Sequence, residues 1–323
     1  MQVIQVAQFG GPEVLVPVEV PDPVAGRGQA VIGVTAAEVL FLDAMIRYGL
    51  ATDFFPLRPP YVPGSGVAGT VISVGPDTDA SWTGRRVVAQ TGANGGYAQQ
   101  AVVAAGDLIP LPHGLGLPEA AALLHDGATA LGLVESFPIR PGEWVLVVGA
   151  SGGLGAVLVQ LARAAGARVI GAARGQPKLD LAREAGAGLV VDDSEPDWPG
   201  QVTEATEGNG ADLVFDNVGG PVGLAAFGAI AAGGRFSAHG APAGGFADID
   251  PQEAKRLGVT VRGIEQVQFA PADLARLAGK ALSAAAEGLI RPIIGQTFPL
   301  EQAADAHRAI EARDVIGKTL LVT

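Results

Sequence analysis

The run Val145-Leu146-Val147-Val148-Gly149-Ala150-Ser151-Gly152-Gly153-Leu154-Gly155 compresses a strand, a tight turn and a helix start into a single short segment. Four successive apolar residues suit a short strand buried on both faces. Glycines at 149, 152 and 155 follow in G-x-x-G-x-x-G spacing, and Ala156-Val157-Leu158-Val159-Gln160-Leu161-Ala162-Arg163 then runs without a helix breaker. Such a turn has no bulky side chains, so backbone N–H groups and the positive end of the helix dipole converge on one point. That is where a dinucleotide fold holds a pyrophosphate. The candidate cradle is therefore Ala150, Ser151, Gly152, Gly153, Leu154 and Gly155.

A second strand is predicted over Ala167-Arg168-Val169-Ile170-Gly171-Ala172-Ala173. Its end lies about 20 residues past the turn, where dinucleotide folds read the adenosine ribose. A carboxylate there accepts hydrogen bonds from both ribose hydroxyls; this chain has Arg174 instead, with Lys178 one helical turn on. Two cations and no acid suit a 2′-phosphate, which points to NADPH.

The chain has 323 residues, enough for two domains, and 48% of them are hydrophobic. No apolar run reaches the length of a membrane span, and Met1-Gln2-Val3-Ile4-Gln5-Val6 does not resemble a signal peptide, so a cytoplasmic protein away from membranes is expected. The absence of cysteine excludes disulfides, thiolate metal sites and a cysteine nucleophile. A net charge of −12 argues against nucleic acid as a partner.

Three stretches differ in pattern. Residues 1–120 are rich in Val, Pro and Gly, with short alternating runs broken by turns such as Gly10-Gly11-Pro12 and Pro59-Pro60, which predicts an irregular β-rich domain. Residues 121–262 alternate strands with Ala-rich helices. Strands are expected at 145–148, 168–172, 188–191, 212–216, 234–238 and 258–263, giving an α/β, doubly wound parallel sheet. Residues 263–323 hold a helix near 271–287, an extended piece at 293–298, a helix near 300–312 and a last strand at 319–322, which is expected to return to the first domain.

Taken together, these segments resemble the medium-chain dehydrogenase/reductase superfamily, in its zinc-independent quinone oxidoreductase (zeta-crystallin-like) branch. The resemblance spans the whole chain. It is carried by Gly142-Glu143 through Arg163, by Val62-Pro63-Gly64 with Val67-Ala68-Gly69, and by Gly95-Gly96-Tyr97-Ala98. Gly127-Ala128-Thr129-Ala130, Asp212 through Gly219, Gly233-Gly234-Arg235 and Gly317-Lys318 add to it. It implies a GroES-like catalytic domain built from both chain ends around a central Rossmann domain, with NADPH in the cleft between them. It further implies hydride transfer to a quinone or an α,β-unsaturated carbonyl, cofactor contacts from Thr129, Asn217, Gly240 and Arg313, and a homodimer joined near Val259–Gly263.

Zinc alcohol dehydrogenases share that architecture. Their three catalytic-ligand slots hold Leu40, Ser65 and His125 here. One donor in three cannot hold zinc, so no metal is expected. A metal-free site must stabilise charge on the acceptor oxygen with a hydrogen-bond donor, and His125 is the catalytic candidate. The expected substrate wall is apolar: Leu40, Phe41 and Met45, with Tyr48 nearby and aromatic surface from Phe54, Phe55 and Tyr61. That suits a small apolar carbonyl or quinone. The alternatives are a zinc-free alcohol dehydrogenase using His125 as its relay, and a dinucleotide-binding protein without turnover. His113 is expected in an exposed turn, His307 in a structural role, and His239 at a strand end facing the cofactor.

Overall fold

A computed structural model describes residues 1–50, 55–92, 94–313 and 315–323. The chain begins with strands β1 (Gln2–Val6), β2 (Leu15–Glu19) and β3 (Gln29–Val39), the short helix α1 (Phe41–Arg47), and strands β4 (Gly66–Val74), β5 (Arg86–Gln90), β6 (Gln100–Ala104) and β7 (Ile109–Pro110). Helix α2 (Leu117–Ser136) leads to β8 (Trp144–Val148), α3 (Gly153–Ala164), β9 (Arg168–Ala173), α4 (Gln176–Ala185) and β10 (Leu189–Asp192). Next come α5 (Trp198–Ala205), β11 (Ala211–Asp216), α6 (Gly220–Phe227), β12 (Ile230–Ala238), α7 (Pro251–Leu257) and β13 (Thr260–Arg262). Helix α8 (Pro271–Ala286), β14 (Ile294–Pro299), α9 (Ala303–Glu311) and β15 (Lys318–Val322) complete the chain. Among the described residues, no helix is long and apolar enough to cross a membrane.

Two compact units result: residues 1–125 with 278–323, and residues 126–277. In the first, the sheet order is β14-β15-β3-β4-β5-β7, with β6 also paired to β3, while β1 and β2 form a separate ribbon. The last strand, β15, runs antiparallel to β3, pairing Thr319 with Val39 and Val322 with Ala36. Alternation along β3 and β4 buries Ile32, Val34, Val67 and Val71 in one core with Ile4, Val6 and Tyr97.

The second unit is a six-stranded parallel sheet in the order β10-β9-β8-β11-β12-β13, the doubly wound arrangement expected from the alternating pattern. Its central strand β8 is buried at Val145, Leu146, Val147 and Val148. Parallel strands covered on both faces carry apolar residues at every position, which is why the run was legible. Two edges differ from expectation. β12 starts at Ile230, because Gly233 at φ +76° accommodates an irregularity in the pairing with β11 within the strand. β13 is confined to three residues, because Gly258 caps α7 in the left-handed region at φ +67°.

Candidate active site

In the parallel unit, β8 ends where the strand order reverses between β9 and β11, the crevice position of open α/β sheets. Gly149 turns at φ +70°, Gly152 is the α3 N-cap in extended conformation, and no side chain caps the helix. The first N–H groups of α3 have no intrahelical acceptor, so an anion is their natural partner. The turn is held close to the helix: a Cβ on Gly155 would stand 2.9 Å from Ala150 Cα and closer still to the Gly149 carbonyl oxygen. Ala150 and Ser151 are buried, and the cradle is presented by backbone atoms. The residues present fit a pyrophosphate.

Beside the turn, β11 ends in Asp216, whose carboxylate accepts the N–H groups of Val218 at 2.9 Å and Gly219 at 2.8 Å. Burial raises the Asp216 pKa against the pull of those two N–H groups. This turn presents Asn217, whose amide is engaged at both ends: Nδ2 donates to the Val148 carbonyl at 2.7 Å and Oδ1 lies 2.8 Å from His239 Nε2. Ser237 Oγ lies 2.9 Å from His239 Nδ1, and the Gln266 amide donates to that hydroxyl at 2.9 Å. Burial pushes His239 down to about 4, so the ring is neutral, with its proton on Nε2 facing Asn217. His239 thus stands at a strand end, as expected, and ties the ends of β8, β11 and β12 together through its ring. Ser237 and Gln266 carried no sequence signal. Gly240 follows where a Cβ would collide with the Asn217–Val218 backbone.

Arg174 is exposed at the end of β9, and Lys178 lies in the first turn of α4, which has no acidic residue there. Asp192 faces the same loop: its carboxylate accepts the Gly175 N–H at 3.0 Å and the Ser194 hydroxyl at 2.6 Å. These hydrogen bonds, with help from the Arg174 charge, hold Asp192 below the usual carboxylate range. Thr129 is half-buried on α2, and Arg313 follows α9 in the left-handed region at φ +57°.

The other unit holds two buried polar clusters. In the first, Glu38 on β3 is completely buried. Its Oε1 bonds His125 Nδ1, and the Lys318 ammonium lies 2.9 Å from Oε2. Lys318 is 5% exposed and the His125 side chain 23%. His125 Nε2 lies 3.0 Å from the Gln90 amide nitrogen. Burial alone would raise the Glu38 carboxyl, but the His125 and Lys318 charges override it and hold it at about 2. The sequence picked out His125; Glu38 and Gln90 carried no signal, and Lys318 was visible only as part of Gly317-Lys318.

The second cluster begins at Asp43 on α1. Its carboxylate accepts the Leu40 N–H at 2.9 Å, the Tyr97 hydroxyl at 3.1 Å and the Ser65 hydroxyl at 3.3 Å. Burial lifts Asp43 to about 6 despite these donors. Tyr97 Oη also lies 3.0 Å from His307 Nε2, and Arg47 Nη1 approaches His307 Nδ1 at 3.4 Å. Burial, reinforced by the Arg47 charge, lowers His307 to about 3. Donors therefore run in one direction: Arg47 to His307, His307 to Tyr97, Tyr97 to Asp43. Arg47 pairs in turn with Glu311, which accepts the Tyr48 hydroxyl at 3.1 Å. His307 thus has the structural setting its sequence position suggested.

Leu40, Phe41 and Met45 are half-buried around α1, and Met45 packs against the core. The Tyr48 ring is exposed beneath the Arg47 guanidinium. Phe55 and Tyr61 turn inward onto the core instead of forming an aromatic surface; Phe54 lies outside the described residues. His113 is exposed. Among the described residues, no group of three or more His, Cys, Asp or Glu side chains is arranged to hold a metal ion.

The fold and site define a two-domain nucleotide-dependent oxidoreductase. Residues 26–113 match the alcohol dehydrogenase GroES-like domain, and residues 153–279 match the zinc-binding dehydrogenase family. The chain is 32% identical to a quinone oxidoreductase of Sus scrofa, over 100% of this chain and 98% of that one. It is 31% identical to a 2-haloacrylate reductase of a Burkholderia species, over 97% and 96% of the two chains. The structure of Escherichia coli quinone oxidoreductase complexed with NADPH superposes with a TM-score of 0.91 at 28% identity, over the full length of both chains. The protein belongs to the medium-chain dehydrogenase/reductase superfamily, in its zinc-independent quinone oxidoreductase branch.

Proposed function

We propose that this protein reduces a quinone or an α,β-unsaturated carbonyl with NADPH, and that His125 supplies the proton. The observation that carries the reading is the pairing of an uncapped α3 N-terminus with Arg174 and Lys178 beyond the next strand, in a chain aligned end to end with a quinone oxidoreductase and, nearly so, with a haloacrylate reductase.

Bound NADPH supplies the hydride. The backbone of residues 150–155 binds the pyrophosphate, and Arg174 and Lys178 bind the 2′-phosphate. Asn217 and Gly240 hold the strand ends against the cofactor, with Thr129 and Arg313 as further contacts. Leu40, Phe41 and Met45 present apolar surface to the acceptor and exclude water, and Tyr48 stands at the margin of that wall. Hydride addition leaves negative charge on the acceptor oxygen, and His125 protonates the resulting enolate or hydroquinone anion. β13 is a sheet edge with three exposed residues, and it supports self-association between two copies.

The test is a comparison of initial rates with NADPH and NADH, on an ortho-quinone and a linear enone, with products identified by mass. Preference for NADPH with reduction of either acceptor supports the reading. NADPH binding without turnover of either removes it, and oxidation of a secondary alcohol with NADP⁺ instead assigns alcohol dehydrogenase activity.

A further inference from the structure

Glu38 is a fully buried carboxylate, placed near the end of a core strand. Its cost is met by two partners from distant elements: the His125 imidazole on α2 and the Lys318 ammonium on β15. Space for it exists because position 66 is glycine. A Cβ at Gly66 would fall on Glu38 Oε1 and within 2.5 Å of Leu124 Cδ2. An ion pair alone would need no third group, yet one carboxylate oxygen is given to each partner. The histidine is the only one of the three with appreciable exposure.

We infer that Glu38 and Lys318 are positioning residues for His125: Glu38 fixes the imidazole with a proton on Nδ1, leaving Nε2 to exchange protons, and Lys318 shares the carboxylate's charge so that the imidazolium can give its proton up. This inference rests on the reductase reading above. Glu38 is ionised, so Nδ1 must donate to it, and Nε2 is the basic nitrogen of the neutral ring. Gln90 matches both states of that nitrogen. Its amide N–H donates to neutral Nε2, and a rotated amide offers its oxygen to Nε2–H. Among the described residues, the charged groups placed with His125 include Glu38 on β3, Lys318 on β15, which pairs with the same carboxylate, and Asp43 on α1, and Asp126 is its neighbour in sequence. The Lys318 cation shares the Glu38 carboxylate, so it opposes a tightly held imidazolium.

The proton balance closes. Bound NADPH would supply a hydride; its addition at the enone β-carbon, or at one quinone oxygen, moves the conjugated π electrons to the far oxygen and leaves an enolate or a hydroquinone anion. The acceptor oxygen takes Gln90's place at Nε2. The Nε2–H bond breaks and its proton passes to that anion, giving NADP⁺, reduced acceptor and a neutral ring still bonded to Glu38 through Nδ1. Water then returns the proton to Nε2.

The chain has four histidines, so their ring signals can be resolved by NMR in ¹⁵N-histidine-labelled protein without NADPH. The unmodified protein should show neutral His125 as the Nδ1–H tautomer. Glu38→Gln should move the His125 titration midpoint down, and Lys318→Met should move it up, each by about one pH unit or more. In the pH profile of kcat/KM, the alkaline limb should shift in the same two directions, a change that a purely structural pair would not produce. The tautomer is read without any variant, so an unstable Lys318→Met protein does not shield the proposal: an Nε2–H tautomer overturns it. Unmoved midpoints in folded variants, or a pH profile that ignores them, overturn it as well. If the midpoints move as expected but neither acceptor is reduced, the positioning pair is supported and the reductase reading fails.

Discussion

Tyr97 shows how much one hydroxyl can hold in place. It is fully buried between an acceptor, Asp43, and a donor, His307, and burial pushes its own pKa well above the usual tyrosine value. Removing the hydroxyl strands an imidazole N–H in a dry core and takes one of two donors from Asp43 Oδ2, which keeps the Leu40 N–H. Tyr97→Phe is therefore expected to cost about 2–3 kcal/mol, more than the removed bonds are worth, because the partners keep their desolvation penalty. Urea unfolding midpoints at neutral pH measure it, and a loss below about 0.5 kcal/mol would remove the network from the stability account. Arg174 is a residue of the opposite kind, exposed to solvent at the end of β9. Arg174→Ala should raise KM for NADPH by about tenfold, the equivalent of about 1.4 kcal/mol, while leaving KM for NADH nearly unchanged. Equal changes for both nucleotides would mean that Arg174 does not read the 2′-phosphate.

At the scale of elements, the β8–α3 turn separates two roles that glycine can play. Gly155 is a packing glycine, since any Cβ there strikes the Gly149 carbonyl. Gly152 has φ −77°, which any residue adopts, and its Cβ would sit an ordinary 3.5 Å from the same oxygen. Gly155→Ala should thus lower stability by about 1–3 kcal/mol, while Gly152→Ala should cost less than about 1 kcal/mol and yet weaken NADPH binding by crowding the helix N-terminus. Thermal unfolding and nucleotide titration on both variants check this split; a reversed order would contradict the geometry. The element itself was legible because its information is local: a buried apolar run, three glycines and a helix all lie within twenty residues of one another. The Glu38–His125–Lys318 cluster was not legible in the same way. A lone glutamate in Ala36-Ala37-Glu38-Val39 announces nothing, and its cation lies at the opposite end of the chain, joined only by the antiparallel pairing of β15 with β3. Tyr61 and Phe55 misled for a related reason. Aromatic side chains near a predicted wall face solvent or core according to tertiary packing, which loop sequence does not encode.

For the whole molecule, buried titratable groups set the response to acid. His239 and His307 have folded-state pKa values of about 4 and about 3, against 6.5 for an exposed imidazole. As pH falls below about 6.5, the unfolded chain takes up protons that the native rings refuse, so stability drops, and each histidine's contribution continues to fall until its folded pKa is passed. Asp43 works the other way: its folded value of about 6 exceeds the ordinary 3.8, so its contribution grows as pH falls between those limits. The raised Asp216 acts in the same sense as Asp43. Glu38, at about 2 against an ordinary 4.5, adds a loss over that lower window. The histidines respond before Asp43, because an unfolded imidazole titrates above its folded value of about 6. The unfolding free energy should be level just above about pH 7 and should start to fall near about pH 6.5. The limiting slope is about 1.4 kcal/mol per pH unit for each histidine, and Asp43 tempers it below about pH 6. The decline should steepen again below about pH 4.5, where Glu38 begins to lose its advantage, and His239 ceases to add to it once its folded pKa of about 4 is passed. Urea unfolding across this range tests the order of events. His307→Asn should halve the first decline, since one of its two sources is removed. A native state that gains stability between about pH 7 and 6 would show that the buried rings are protonated in the fold, and would reverse the donor direction assigned from Arg47 through His307 to Tyr97.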